Sequence, residues 1–337
     1  MMRIGIVGCG NIAHTLCSTM VRLKDHMEVV AVAARDEERA KAFAAEFGVP
    51  RAYGSYGELY RDEEVDLVYV AVPHSHHKAV MLDALSNGKN VLCEKAFTVN
   101  AAEAREVFDL AREKGLFVAE AIWTRYMPSR TMIDSIIASG RIGRVTTISA
   151  NLGYKISHKP RIAEPSLAGG ALLDIGVYPL NFALMARDGV PIESMCGQCV
   201  KSDKGVDLRD MIQISFTDGS QAVIFADAET VSDRKGIIYG TEGRIDVYNV
   251  NNPEKIEIWS GDRNPVLLET IDIEEEINGY EYELLSVADC LEKGIKEDPH
   301  MSWNETLRVL SYCDALRELW GIKLAGEMEE PATTVQG

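Results

Sequence analysis

A chain of 337 residues is too long for one small core, and its 52 acidic against 35 basic side chains leave a net charge of −17, which argues against nucleic acid and anionic membrane surfaces as partners. At 46% hydrophobic and 26% charged residues it has the composition of a globular protein. Its seven cysteines lack the regular spacing of a disulfide framework. Cys196 and Cys199 form a CxxC, read either as a redox pair or half a zinc site, or as two small packing residues; no second pair or HxxxH follows.

The first half alternates short apolar runs with helical periodicity. Arg3 to Gly8 reads as a buried strand, Asn11 to Leu23 as a helix and Glu28 to Ala34 as a second strand. Asp36 caps a helix from Glu37 to Phe47 that ends at Gly48. Asp66 to Val72 is a third strand stopped by Pro73, followed by a helix from His77 to Asn87. Asn90 to Cys93, a helix capped by Asn100 and running to Lys114, and Leu116 to Glu120 complete the pattern, which stops near residue 121. The second half has a helix at Pro128–Ser139, a strand at Arg144–Leu152 and a helix at Leu172–Met185. Six strands follow at Ile192–Val200, Asp210–Phe216, Ser220–Ala228, Arg234–Gly240, Gly243–Tyr248 and Lys255–Trp259, with turn residues at 217–220 and 241–243 implying hairpins. Helices at Glu281–Lys293 and Asn304–Trp320 follow. The expected fold class is α/β: an N-terminal doubly wound parallel sheet of Rossmann type (1–121), a C-terminal α+β domain with an open, mostly antiparallel sheet (122–328), and a polar tail (329–337).

The apolar run after Arg3 is too short for a signal peptide, and no run approaches the roughly 20 apolar residues of a membrane helix. A cytoplasmic protein without membrane contact is therefore expected.

Gly8-Cys9-Gly10-Asn11-Ile12-Ala13 fits G-x-G-x-x-G/A between a strand and a helix, the setting in which backbone N–H groups and a helix N-terminus bind a pyrophosphate. A nicotinamide dinucleotide is the expected cofactor, held by Gly8, Gly10, Asn11 and Ile12. NAD sites commonly place an acid at the end of the second strand. Here the chain reads Ala33-Ala34-Arg35-Asp36. Arg35 suits a 2′-phosphate, so NADP is preferred and NAD stays possible. The alternative is a solvated Arg35 beside an Asp36 that only caps the next helix.

Glu94 and Lys95 follow the fourth strand at its carboxyl end, where open α/β sheets bind ligands. Lys95 there is either a proton-transfer partner or a surface salt bridge to Glu94. His74, His76 and His77 cannot converge on one metal from a single turn, and no metal is expected.

Several separated motifs, Gly8–Ala13, Val72-Pro73 with His77, Cys93-Glu94-Lys95, Gly169–Tyr178 and Gly279-Tyr-Glu-Tyr-Glu-Leu-Leu, together resemble the glucose–fructose oxidoreductase/inositol dehydrogenase (Gfo/Idh/MocA) family over about residues 2–325. Glu120-Ala-Ile-Trp123-Thr-Arg125 and Gly169–Tyr178 are most similar to the branch of dimeric dihydrodiol dehydrogenase and NADP-linked D-xylose dehydrogenase. The resemblance implies a cofactor site lined further by Ala34, Arg35, Val72, Pro73, His77, Glu94 and Lys95, with His77 near the nicotinamide-side loop. It also implies a substrate pocket made by Trp123, Arg125, Tyr154, Asp174 and Tyr178, with Lys95, Asp174 and Tyr178 catalytic. Ala96 stands where the family usually has proline, which bears on how Lys95 is placed.

The function so implied is hydride transfer between NADP(H) and a sugar, polyol or cyclic trans-diol. Tyr178 is the expected acid–base, its pKa drawn down from about 10 by the Lys95 ammonium. Tyr178 could instead simply pack on Pro179. The alternatives are an NADPH-dependent keto-sugar or dicarbonyl reductase and a non-catalytic NADP(H)-binding sensor. A homodimer or higher oligomer through the C-terminal sheet is expected. The basic residues of 155–167 (Lys155, His158, Lys159, Arg161) either meet a polar substrate or face solvent.

Overall fold

The computed structural model describes residues 1–274 and 276–324; the expected polar tail and residues 325–328 lie outside them. In the first half, β1 (Met2–Val7), α1 (Asn11–Met20), β2 (Met27–Ala33), α2 (Glu37–Phe47), β3 (Arg51–Tyr53), α3 (Tyr56–Arg61), β4 (Leu67–Val70), α4 (His77–Ser86), β5 (Asn90–Glu94), α5 (Ala101–Lys114) and β6 (Val118–Ala121) follow in turn. The strands make one parallel six-stranded sheet in the order β3-β2-β1-β4-β5-β6. The order reverses between β1 and β4, and the crevice at their carboxyl ends is where such sheets bind nucleotides. Strand β3 and helix α3 go beyond the sequence reading, because three residues are too few to show a period.

The second half holds α6 (Pro128–Ala138), β7 (Val145–Gly153), the short α7 (Pro160–Ala163), a π turn (Leu172–Gly176) and α8 (Val177–Ala186). Strands β8 (Ile192–Lys201), β9 (Asp207–Phe216), β10 (Gln221–Asp227), β11 (Gly236–Gly240), β12 (Gly243–Tyr248), β13 (Lys255–Ser260) and β14 (Leu267–Asp272) follow, then α9 (Glu281–Glu292) and α10 (Trp303–Trp320). The eight strands form one sheet, β14-β13-β12-β11-β7-β10-β9-β8, in which only β7 and β10 run parallel. Both turn-defined hairpins, β9–β10 and β11–β12, are present. The edge strand β14 escaped the sequence reading because nearly all its side chains are exposed and show no alternation.

Helix α8 and the π turn pack on one face of this sheet. Alternate residues there (Ile148, Ile212, Ile214, Ile224, Ile238) are buried, while Met211, Val223 and Tyr239 on the other face stay exposed. The helical run Pro165–Ala186 is long and apolar enough to cross a membrane, which corrects the expectation that no run approaches that length; 94% of its most apolar stretch is buried inside the fold.

The two halves interlock. Helix α9 returns to the first sheet, where Leu284, Val287 and Cys290 share a core with Leu16 and Met20 of α1 and with Phe117. Phe97 stacks on Phe108, which stacks on Trp303 at the start of α10. Helix α9 thereby packs beside α1 of the first half.

Candidate active site

The glycine loop is built to approach another group closely. Gly8 has φ +103, and a Cβ there would meet the Ala71 carbonyl oxygen at 2.4 Å, so both conformation and space demand glycine. The same Cβ would lie 3.3 Å from Val72, which places that predicted residue beside the loop. Gly10 precedes α1 with open space around it. Helix α1 has no side-chain cap and no acid in its first turn. Its first N–H groups and positive dipole end are thus free for an anion. These features fit a dinucleotide pyrophosphate over Gly8, Gly10, Asn11 and Ile12.

At the end of β2, Ala34 is buried and Arg35 exposed. The Asp36 carboxylate accepts from Glu38 N at 3.0 Å and Arg39 N at 3.4 Å and so caps α2. Arg39 donates to the Cys9 carbonyl at 3.3 Å. Both arginines act electrostatically on the Tyr56 phenol, so two cations face this end of the cleft. The sequence reading missed Arg39; its spacing of one helical turn from Arg35 was the available signal.

Past β4, Pro73 leads into a turn in which His74 and His77 become structural. His77 is fully buried, with Nδ1 3.0 Å from the Ala96 oxygen and 3.2 Å from the Phe97 oxygen, and Nε2 2.8 Å from the Val72 oxygen. His74 Nε2 lies 3.1 Å from the Lys95 oxygen. Burial, aided by His77 and Lys95, pushes His74 down to about 3, so its neutral ring donates to that carbonyl at neutral pH. Burial also lowers His77. The Lys95–Ala96 peptide is cis. The backbone oxygens of Lys95, Ala96 and Phe97 thus face the rings of His74 and His77.

From this strand end Lys95 reaches across to the second half. Its Nζ donates to the Asp174 carbonyl oxygen at 2.6 Å and lies 3.3 Å from Asp174 Oδ1. Arg161 meets the same carboxylate in a fork, Nε to Oδ1 and Nη2 to Oδ2, both 3.2 Å. Burial would raise the Asp174 pKa, but Lys95, Arg161 and His74 outweigh it and hold the carboxyl well below the usual range. The π turn presents Asp174 one turn ahead of Tyr178, and such turns recur at functional sites. It is pinned by Leu172 N donating to Asp207 at 2.6 Å.

Lys95 Nζ lies 5.3 Å from the centre of the Tyr178 ring. The expectation that Lys95 lowers the Tyr178 pKa is corrected. Burial, reinforced by Tyr280 and the Glu94 carboxylate, holds the phenol well above its ordinary value, and the Trp123 indole N–H offsets this only in part. The Lys95 charge is already engaged by Asp174. Trp123 stacks on Tyr280 with ring centres 4.1 Å apart. The stack needs Gly279, with φ +88, because a Cβ there would strike the Trp123 ring at 2.9 Å. Tyr154 Oη lies 3.2 Å from Asn251 Oδ1 and accepts from Arg234 at 3.3 Å. Tyr280 was overlooked as a site residue, although it lies in the Gly279–Leu285 motif.

Arg125 is buried between helices of the second half. It is 6% exposed and spent on Asn181 (2.7 Å) and Glu305 (3.0 Å). A buried guanidinium must find such partners. Within 155–167, Arg161 joins the site while Lys155 and His158 face solvent. Cys196 and Cys199 are free thiols on β8.

A dinucleotide-binding sheet joined to an open sheet, with a strand-end ammonium fixed between them, defines an NAD(P)-dependent oxidoreductase. The comparisons with known proteins agree. Residues 2–121 match the oxidoreductase family, NAD-binding Rossmann fold, and residues 131–246 match the GFO/IDH/MocA C-terminal domain; the chain belongs to the Gfo/Idh/MocA oxidoreductase family. It is similar to trans-1,2-dihydrobenzene-1,2-diol dehydrogenase of Xenopus tropicalis, 36% identical over 321 residues, 94% of this chain and 97% of the relative. It is also similar to the Homo sapiens protein of that name, 33% identical over 325 residues, 95% and 97%. Among solved structures it resembles a 3-ketoreductase from Actinomadura kijaniata in complex with NADP, with TM-score 0.81, 25% identity and coverage of 94% and 97%. It shares the fold of an aldose-aldose oxidoreductase from Caulobacter crescentus, with TM-score 0.84, 21% identity and coverage of 94% and 97%.

One group in the site titrates near neutrality. Burial pushes Glu94 up to about 7, although Tyr69 donates to it at 2.5 Å. From about pH 4.5 to about pH 7 the unfolded chain releases this proton while the fold holds it, so the Glu94 contribution to stability is lost as pH rises. Thermal unfolding of wild type and Glu94→Gln at about pH 5 and about pH 8 checks this. Wild type should lose more stability across the interval than the variant; equal losses would mean that Glu94 titrates normally.

Proposed function

We propose that this enzyme transfers a hydride between NADP(H) and a small carbohydrate-like alcohol or carbonyl, either a sugar, a polyol or a cyclic trans-diol. The observation that carries the reading is the position of Lys95, bonded to Asp174 and lying 5.3 Å from the centre of the Tyr178 ring. When bound, the nicotinamide supplies the hydride donor or acceptor; the chain supplies orientation and the proton. Lys95 and Asp174 hold each other in place, the Tyr178 hydroxyl handles the proton, and the stacked Trp123 and Tyr280 form an aromatic wall suited to a ring-shaped substrate. The similarity to trans-diol dehydrogenases supports this substrate class.

A second reading is reduction of a keto-sugar or dicarbonyl, in which the Tyr178 hydroxyl, protonated at neutral pH, donates the proton; what argues for it over oxidation is that a phenol held well above its ordinary value resists acting as the phenolate base. In the oxidising direction Tyr178 must pass its own proton on as it takes the substrate's. A panel of aldoses, inositols, trans-diols and dicarbonyls with NADP⁺ or NADPH separates the two directions. Tyr178→Phe should lower kcat about 10²-fold or more, as removal of a proton-transfer group does, with cofactor affinity unchanged. Cofactor binding without turnover on the whole panel would identify a sensor instead.

The preference for NADP rests on Arg35 and Arg39 and on an Asp36 carboxylate consumed in capping α2. Fluorescence titration should give tighter binding of NADPH than of NADH. Arg35→Ala should narrow the difference by about tenfold, the scale of one exposed or partly desolvated ion pair to phosphate. A tighter NADH complex in wild type would reverse the assignment.

We further propose self-association through the helix-free face of the eight-stranded sheet, where Met211, Val223 and Tyr239 are exposed. Sedimentation should show a dimer that Val223→Glu dissociates; a monomeric wild type would remove the proposal.

A further inference from the structure

Hydride transfer between an alcohol and a nicotinamide leaves one proton to be supplied or removed per turnover. Tyr178, at 9% exposure, is poorly placed to trade it with water. Glu94, whose charge acts on the Tyr178 phenol, is buried too. Protein groups that lead from this pocket to solvent are therefore candidates to carry it.

Helix α9 carries one polar stripe. Tyr280, Glu283 and Ser286 are three residues apart, about 4.5 Å of rise per step on one face. Tyr280 is in the site, stacked on Trp123. Glu283 has no exposed surface, and neither of its carboxyl oxygens has a hydrogen-bond partner among the described residues. Ser286 donates to Asp298 Oδ2 at 2.6 Å and lies 3.2 Å from His300 Nδ1. Asp298 is fully buried and accepts from the His300 backbone at 2.9 Å, with His300 Nδ1 3.0 Å from Oδ1. The His300 side chain is 49% exposed. The stripe thus starts at the cleft and ends at solvent.

The charges that act on Glu283 come from both ends of this path, Glu94 on β5 and Asp298 ahead of α10. Two phenols border the same space. Tyr69 donates to Glu94 and feels Glu283, and Tyr126, its ring 5.6 Å from the His300 ring, feels Asp298, Glu283 and Glu120. No cation or donor serves Glu283 among the described residues. An ionised carboxylate in that setting is strongly disfavoured, so the group keeps its proton. Burial and the two flanking acids push its pKa well above the ordinary value. Leucine or glutamine would fill the same volume without that cost, so packing alone gives no reason for an acid here.

We propose that Glu283 is a proton relay that connects Glu94 in the active site with the Asp298–His300 pair at the surface. The inference rests on the hydride-transfer reading above. During oxidation the substrate O–H bond breaks as its proton passes to Tyr178, and the phenol's own proton passes to the Glu94 carboxylate. Glu283 gives its proton toward Asp298 and His300 and is reprotonated from Glu94. One proton enters at the site, one leaves at His300, and every acid returns to its starting state; no electrons travel along the path. Reduction runs it in reverse.

The test uses the full chain and two variants, Glu283→Gln, a neutral near-isostere of the protonated acid, and His300→Asn at the half-exposed end. Infrared spectroscopy of the unliganded protein at neutral pH should show the carbonyl stretch of a protonated carboxyl that Glu283→Gln removes. On transfer to D₂O that band should shift, and His300→Asn should slow the shift about tenfold or more. In turnover both variants should lower kcat about tenfold, the low side of what proton-transfer groups contribute, with KM and NADPH affinity unchanged and with added imidazole restoring His300→Asn. Absence of the band, equal exchange rates in wild type and His300→Asn, or unchanged kcat in both variants overturns the relay. If wild type turns over nothing on the panel, the hydride-transfer reading fails, and the exchange rates still decide whether Glu283 communicates with His300.

Discussion

The contact between Lys95 and Asp174 is the constraint on which the cleft depends. It joins the end of β5 in the first half to the π turn of the second. Burying a carboxylate costs more than a single attraction returns unless several partners meet it. Asp174 meets two cations, Lys95 and Arg161, and its backbone oxygen takes the shorter Lys95 bond. Removing either member would leave its partner as a buried charge without full compensation. The pair therefore fixes the geometry between the halves more than it adds stability, and Tyr178, one turn along, inherits its position from it.

The strand end that carries Lys95 is held by buried imidazoles rather than by a salt bridge. His74 is buried and neutral, and the ring nitrogens of His74 and His77 face the backbone oxygens of Lys95, Ala96, Phe97 and Val72. A salt bridge in this place would answer to pH and ionic strength; the contact of the neutral His74 ring with the Lys95 carbonyl does not. This also bears on Ala96. Proline in that position restricts the backbone covalently, whereas here the restriction comes from side chains packed against it. Fixed positions can in this way coexist with Glu94, the neighbouring group whose proton equilibrium lies close to neutrality.

Legibility in the sequence followed the range of the interaction. The glycine loop, the parallel strands β1, β2, β4, β5 and β6 and the hairpins β9–β10 and β11–β12 announce themselves locally, through apolar runs and turn residues a few positions apart. Lys95 stood out by its place at a strand end, while Asp174 and Tyr178 were legible only through the family resemblance of their motif; the structure brings the three together. Arg125 shows the limit. Its motif pointed to the pocket, but its partners, Asn181 and Glu305, come from 56 and 180 residues away, and no local pattern reveals that they absorb the guanidinium. Glu283 is the converse case, an ordinary acid on an amphipathic helix until α9 folds it against β5 and Asp298. The Tyr178 pKa was misread for the same reason: Lys95 was considered without Asp174, and burial without Tyr280 and Glu94.

The overall charge and the cofactor site pull in opposite directions, and distance decides between them. A net −17 repels a dinucleotide carrying several phosphate charges, but exposed charges beyond roughly 10 Å are largely screened at physiological salt. What the phosphates meet is local: the uncapped start of α1 with no acid in its first turn, and the arginines at 35 and 39. Asp36 would spoil that field if its carboxylate faced the cleft. Its bonds to Glu38 N and Arg39 N turn it toward α2, where it stabilises the helix that presents Arg39. The residue that in related sheets would be read as a ribose ligand is thereby spent on building the basic edge beside it.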